Sequence, residues 1–288
     1  MAREIVIKGR NLNILGIPCH LLSCEKLHML KQILRSAPTQ KTTRVLRDRE
    51  RDVNVQHHTH FLTKNEADTL LAELKTLDKY NLMADHDGGQ LKQRVLRFYG
   101  KEVVTPRQTA AFGDPGTSYR FSGQRQRAAP WPPFLLELKQ QVAEFLGEEK
   151  PFNFVLINEY KDGSQTIGWH ADDERDIEPG SVIASLSVGD ERDFRLRPKD
   201  PSERHGRSTT TSVRLRHGDL LAMHGNTQKH YEHSVPRTKK HRKPRYNLTF
   251  RHMNVPPPKT RKRKRSPEPI DPLPTAKKPR HSKDILMY

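Results

Sequence analysis

The segment GWHADDERD, residues 168–176, places His170, Asp172, Asp173 and Glu174 within five positions. An imidazole and a carboxylate so close together, after an apolar run, fit either a solvated turn or two ligands of one metal ion. Neutral imidazole and carboxylate suit divalent iron, and a second histidine on the same face would complete a set that leaves coordination positions open. His233, in YEHSVPR, lies 61 residues after Asp172, near the start of a late apolar strand, and is the candidate third ligand. His217, His224, His230 and His241 compete for that place. Zinc hydrolysis is the rival chemistry, but it needs a water-activating base beside the ligands.

Open positions on iron invite oxygen and an acidic cosubstrate, and an acid calls for cations. RYNLTFR, residues 245–251, offers Arg245 and Arg251 six apart. On a strand both point to one face, with Asn247 and Thr249 between them on that face. Two guanidinium groups on an otherwise apolar strand suit bidentate carboxylate binding better than packing. Asn158 and Tyr160, two apart at the end of FNFVLINEY, could join them; taken alone they read as a satisfied strand edge.

Elements must hold these groups in place. Thr63 with Glu66 three residues later is a capping box, and Ala67, Leu70, Leu71, Leu74 and Leu77 continue at helical spacing. A second helix is predicted from Pro132 or Pro133 to about Leu146, with Leu135, Leu138, Val142 and Phe145 on its apolar face and Gly147 as its stop. The period then changes. FNFVLINEY, VIASLSV, DFRLR, SVRLR, DLLAMHG and RYNLTFR are short apolar runs separated by turns such as KDG, EPG and VGD. Many short strands without intervening helices imply an antiparallel sandwich or barrel, buttressed by the earlier helices.

The chain has 288 residues, formal net charge +18 and 33% hydrophobic residues, so a packed domain with less ordered flanks is expected. We place a poorly ordered extension at 1–55, the domain at 56–253 and a disordered basic tail at 254–288. Cys19 and Cys24 read as free thiols, and His57, His58 and His60 as surface histidines. Two cysteines, no signal-peptide core and no run of about 18 apolar residues imply a reduced intracellular compartment and no membrane. The charge excess points to nucleic acid. In the tail, Lys259–Arg265 and Lys277–Arg280 form two basic clusters like a bipartite nuclear import signal, which implies an import receptor and the nucleus. A nonspecific DNA-binding tail is a compatible reading.

NFVLINEYKDG, WHADDE, IASLSVG, RDF, HSVP and PRYNLTFR, in that order over about residues 92–252, resemble the AlkB family of Fe(II)- and 2-oxoglutarate-dependent dioxygenases. INEYKDG, GTSYRFSG and NLTFR are most similar to its homologue-two branch, DNA oxidative demethylases of duplex DNA; WHADDE and GNTQ are more similar to homologue three, which prefers single strands. The resemblance implies a mainly β α+β fold, a double-stranded β-helix or jelly roll. It implies Fe(II) on His170, Asp172 and His233, with 2-oxoglutarate and O2 as cosubstrates. Arg251 would pair with the far carboxylate of 2-oxoglutarate, and Arg245, Asn158, Tyr160 and Thr249 would complete that pocket. Asp173 would contact the damaged base with Glu174 in support, while Phe121 stacks on it and Tyr119 and Arg120 line its pocket.

FYGK, residues 98–101, would be a probe hairpin with Tyr99 as its finger, followed by Gly100. Lys101 and Arg107 would touch phosphate. Lys239 and Lys240, with Arg237, Arg242 and Lys243, form a basic loop suited to the backbone or opposite strand. The expected function is repair of 1-methyladenine and 3-methylcytosine in DNA, with duplex favoured, by a monomer. Single-strand or RNA demethylation, action on protein, and a non-catalytic DNA-binding module are the alternatives. REIVIK carries Glu4 where the branch's clamp-binding peptide has an aromatic, which leaves docking to the replication clamp open.

Overall fold

A computed structural model describes residues 6–7, 10–11, 40–77, 91–98, 101–121, 124–204, 209–240 and 243–255. Cys19, Cys24 and both basic clusters of the tail lie outside them. β1 (Val6–Ile7) and β2 (Arg10–Asn11) pair with each other. The body of the fold follows as β3 (Lys41–Asp48), β4 (Val53–Thr59), α1 (Lys64–Lys75), β5 (Lys92–Phe98), β6 (Lys101–Gly113), β7 (Ser118–Phe121), β8 (Gln124–Arg127) and α2 (Pro133–Leu146). β9 (Phe154–Tyr160), β10 (Ile167–His170), β11 (Ile183–Gly189), β12 (Arg192–Pro198), β13 (Thr211–Leu215), β14 (Asp219–Gly225), α3 (Thr227–His230), β15 (Tyr231–Val235) and β16 (Arg245–Arg251) complete it. Among the described residues no helix is long and apolar enough to cross a membrane.

The larger antiparallel sheet runs β3-β4-β14-β11-β16-β9-β6-β5, and the smaller runs β10-β15-β12-β13. Their inner faces share a core of Val55, Ile183, Leu221 and Met223 from one sheet with Phe194, Leu196, Leu215 and Val235 from the other. This is the expected double-stranded β-helix. The outer face of the larger sheet packs Leu186, Leu220, Leu248 and Phe250 against Leu70 and Leu74 of α1 and Leu135 and Val142 of α2. Alternation along a strand explains both contacts. On β16, Tyr246, Leu248 and Phe250 face the helices, while Arg245, Asn247, Thr249 and Arg251 face the space between the sheets. All seven residues are buried.

The helices form for the reasons legible in their sequences. Thr63 accepts from the Glu66 backbone N–H, and the Glu66 carboxylate accepts from the Thr63 backbone N–H at 2.7 Å. Pro133 opens α2, and Gly147 closes it at φ 72°, the left-handed conformation that glycine adopts without a Cβ penalty. Phe145 departs from the expected buried face: it is 39% exposed, and Ala143 is buried in its place.

Two expectations are corrected at the N-terminal side. The larger sheet reaches back before residue 56 to Lys41, because β3 and β4 form a hairpin on its edge. Val53 and Val55 are buried against Gly225 and Met223 of β14, and the arginines that disguise the hairpin face outward. Of the histidines of QHHTH, His58 is buried and His57 and His60 are half-buried. His58 Nδ1 lies 2.8 Å from Thr42 Oγ1 with its ring edge-on to Phe145, and His57 Nε2 lies 2.9 Å from Asp219 Oδ2.

Burial drives the His58 imidazole down to about 4, reinforced by His224 and His57. His224 is pushed down by burial as well. An unfolded histidine titrates near 6.5, so the unfolded chain binds more protons between those values. The stability contributed by the neutral His58 is complete above about 6.5 and is lost as pH falls toward 4. Urea midpoints should therefore drop between about pH 7 and pH 4.5, and His58→Gln should shrink that drop.

Candidate metal and cosubstrate site

β10 and β15 lie side by side in the smaller sheet, and the register places His170 opposite His233. Their rings sit 4.2 Å apart, centroid to centroid. Asp172 follows two residues after His170, and the ligand atoms of His170, Asp172 and His233 all lie within 4.8 Å of one another. His170 Nδ1 is 2.9 Å from the Gly168 carbonyl oxygen; donation there leaves Nε2 as the ligand nitrogen. Phe194 stacks on His233 at 5.0 Å, and the Gln228 side-chain oxygen accepts from the Asp172 backbone N–H at 2.9 Å. Burial pushes His233 down to about 3 and His170 below its ordinary value, so both imidazoles are neutral lone-pair donors. Burial alone would raise Asp172, but Arg251 and then the two histidines hold its carboxylate well below the usual range.

The inner face of the larger sheet supplies the adjoining wall. Arg251 Nη2 donates to Asp172 Oδ2 at 2.8 Å, and its guanidinium lies 5.0 Å from the Tyr119 ring centre. Arg245, six residues away, donates to Ser187 Oγ at 2.8 Å and to Asn247 Oδ1 at 2.9 Å, and lies 5.4 Å from the Tyr160 ring centre. Burial lowers Arg245 to about 10. Asn158 stands opposite Asn247 and Tyr160 opposite Arg245 across the β9–β16 pairing. Arg251, Tyr119, Asn158, Tyr160 and Asn247 line one cleft together with the metal ligands.

The donor set fits divalent iron with a dicarboxylic cosubstrate. Two histidines and one carboxylate converge, and Nε and Nη1 of both Arg245 and Arg251 are buried without a hydrogen-bond partner. Buried guanidinium donors in that state are what an anionic ligand would satisfy. The sequence model of the 2OG-Fe(II) oxygenase superfamily matches residues 54–251. The chain belongs to that superfamily. Fe(II), 2-oxoglutarate and O2 are therefore its cofactor and cosubstrates. The DNA oxidative demethylase ALKBH2 of Mus musculus is 43% identical over 196 residues, covering 67% of this chain and 78% of the relative. That of Homo sapiens is 42% identical, covering 67% and 71%. The alkB homolog 3 dioxygenase of Bos taurus is 41% identical over 150 residues, 51% of each chain.

Around this superfamily site the remaining candidate residues take defined places. Arg251 sits at the metal end, where Nη2 donates to Asp172 Oδ2, and Arg245 stands about 20 Å further along the same strand face. Arg107 is buried on the inner face and donates through Nε to Asn158 Oδ1 at 2.7 Å, so it does not reach phosphate. Asp173 points to the rim, where Lys199 Nζ holds it at 2.6 Å. Glu174 instead turns inward: Oε1 accepts from Tyr119 Oη at 2.6 Å, and Oε2 is buried without a partner. Burial raises the Glu174 carboxyl. Tyr119 is buried against Phe154 at 5.7 Å, and Arg120, Lys239 and Lys240 are exposed. Tyr99 and Gly100 lie outside the described residues, as do the side chains of Lys101 and Phe121. Residue type and spacing do not single out Ser185, Ser187, Phe194 and Gln228; the polar alternation in IASLSV is the signal that could have found the two serines.

Removing the Arg251 charge leaves Asp172 buried and uncompensated. Arg251→Met should cost the metal-free protein about 3–5 kcal/mol in chemical denaturation. Asp172→Asn should abolish Mn(II) binding in equilibrium dialysis.

Proposed function

We propose that the protein is a DNA-repair dioxygenase that demethylates N-alkylated bases, 1-methyladenine and 3-methylcytosine above all, with duplex DNA favoured. The observation that carries this is the buried polar face of β16 joined to the His170, Asp172 and His233 cluster. Iron, 2-oxoglutarate and oxygen supply the oxidation: one oxygen atom goes to the N-methyl carbon and the other to succinate, with loss of carbon dioxide. The resulting N-hydroxymethyl group releases formaldehyde and leaves the unmodified base.

The chain's own residues do the positioning. His170, Asp172 and His233 hold the metal. Arg245, with Tyr160, Asn247 and Thr249, binds the far carboxylate; Arg251 and Asn158 order the metal end. Glu174 and Tyr119 meet the polar edge of the flipped base, and Phe121 stacks on it. A carboxylate there favours the cationic methylated bases over neutral ones. Asp173 adds negative charge at the rim. By the family resemblance, Tyr99 and Gly100 would fill the gap left by the extruded base, while Lys101, Lys239 and Lys240 would meet phosphate. The similarity to DNA oxidative demethylases supports DNA as the substrate. A monomer suffices, because one chain carries the whole ligand set. The two basic clusters of the tail would recruit an import receptor and bring the protein to the nucleus; a fluorescent fusion with both clusters neutralised should stay in the cytoplasm.

Formaldehyde and succinate release from a 1-methyladenine oligonucleotide, single-stranded and duplex, tests the reading. Turnover that vanishes in His170→Ala/Asp172→Ala is expected, with duplex turned over faster. Turnover on single strands alone would move the protein toward homologue three, and none on either would return the RNA, protein and binding-only readings. Tyr99→Ala should impair duplex repair far more than single-strand repair. Equal loss on both substrates contradicts the finger assignment. Replacing Lys239 and Lys240 together with alanine should reduce the slope of log K against log salt by about 2, read by fluorescence anisotropy.

A further inference from the structure

Arg192 opens β12 and is only 3% exposed, yet nothing in the reaction above uses it. Its guanidinium donates to three backbone carbonyls: Asp162 at 3.0 Å, Gln165 at 2.9 Å and Pro236 at 2.7 Å. The first two belong to the turn that leaves β9. The third begins the basic loop that leaves β15. The same turn and loop touch backbone to backbone. Thr238 N–H donates to the Gly163 carbonyl at 3.0 Å. A Cβ at Gly163 would stand 2.6 Å from the Lys240 carbonyl oxygen and 2.6 Å from Thr238 Cγ2, so only glycine fits without displacing the loop.

On its other side Arg192 meets the cosubstrate pocket. Its guanidinium lies 5.6 Å from the Tyr160 ring centre, and that of Arg245 lies 5.4 Å from the same ring. The far stem of the loop is tied separately, by Lys243 N–H donating to Asp190 Oδ2 at 2.9 Å and Asp190 N–H donating to the Pro244 carbonyl at 3.1 Å.

We infer that Arg192 is a positioning residue shared by two binding surfaces: it fixes the Tyr160 end of the cosubstrate pocket and the stem of the basic loop through one guanidinium. The inference rests on the reading of Arg245 and Tyr160 as the far-carboxylate end. Arginine suits the task because its planar fork presents several donors in fixed directions, enough for three carbonyls from two segments; the lysine ammonium is a point charge on a flexible stem. Arg192 is too buried to reach a phosphate. An effect of its replacement on polyanion binding must therefore act through the loop. Arg192→Lys keeps the charge and loses the fork, which separates geometry from electrostatics.

The test uses the full chain loaded with Mn(II). Titration calorimetry measures 2-oxoglutarate affinity, and mass spectrometry follows tryptic cleavage after Arg237, Lys239 and Lys240. Arg192→Lys should weaken 2-oxoglutarate about tenfold, the scale of losing one or two hydrogen bonds to a charged group, and should speed loop cleavage. Gly163→Ala presses on the same junction without touching a charge and should also speed cleavage. Mn(II) affinity should stay at the wild-type value in both variants, since none of the three carbonyls that Arg192 holds belongs to His170, Asp172 or His233; this also shows that the variants fold. Wild-type cosubstrate affinity in Arg192→Lys, or wild-type cleavage rates in both variants, overturns the shared role. If the unaltered chain binds no 2-oxoglutarate, the cosubstrate reading fails, and the cleavage rates still decide: acceleration upholds the positioning of the loop, and unchanged rates overturn it.

Discussion

The ion pair between Arg251 and Asp172 is the interaction on which the site depends. Both side chains are almost fully removed from water, at 3% and 4% exposure, and the pair measures 2.8 Å. Each charge depends chiefly on the other to offset its desolvation. The pair joins the last residue of a central strand to the segment that carries the metal ligand. It keeps Asp172 ionised and therefore able to bind a cation. It also orders the neighbouring groups: the same guanidinium lies over Tyr119, and Tyr119 donates to Glu174. Metal ligand, cosubstrate end and candidate base pocket thus share one charged group.

Around this pair the fold hides polar residues between two sheets. Strands that bury both faces are usually apolar throughout. β16 is apolar only toward the helices and presents Arg245, Asn247, Thr249 and Arg251 toward the other sheet, where β11 adds Ser185 and Ser187 beside the apolar Ile183. Such a face is costly unless its donors meet partners. Within the chain Arg245 is satisfied in part by Ser187 and Asn247, and its Nε and Nη1 are buried without a hydrogen-bond partner. The same strands carry the hydrophobic core on their other side, so stability and ligand binding are built from one alternating pattern.

Much of this is legible in the amino-acid sequence. The capping box at Thr63 and Glu66, the proline and glycine that bound α2, the runs that form β9, β11, β12, β13, β14 and β16, and the His170–Asp172 pair can be read from residue type and spacing; His233 stands out from four competing histidines only through the family resemblance. What escapes such reading depends on tertiary register. The hairpin 41–59 is hidden because an edge strand exposes its charges and interrupts the apolar alternation. Arg107 has the look of a phosphate contact, but the pairing of β6 with β9 turns it toward Asn158. Arg245 and Arg251 share a face, and only the position of Asp172 tells which is at the metal end. Asp173 and Glu174 are neighbours, but the turn closed by Ile177 N–H on the Glu174 carbonyl, at 2.9 Å, sends one to the rim and the other inward.

The most direct test of this arrangement is a crystal structure with Mn(II) and 2-oxoglutarate, using anomalous scattering to locate the metal. The account predicts one anomalous peak bonded to His170, Asp172 and His233, with the far carboxylate of the cosubstrate on Arg245 and Arg251 still paired with Asp172. A peak elsewhere, or a far carboxylate held by Arg251, would contradict it.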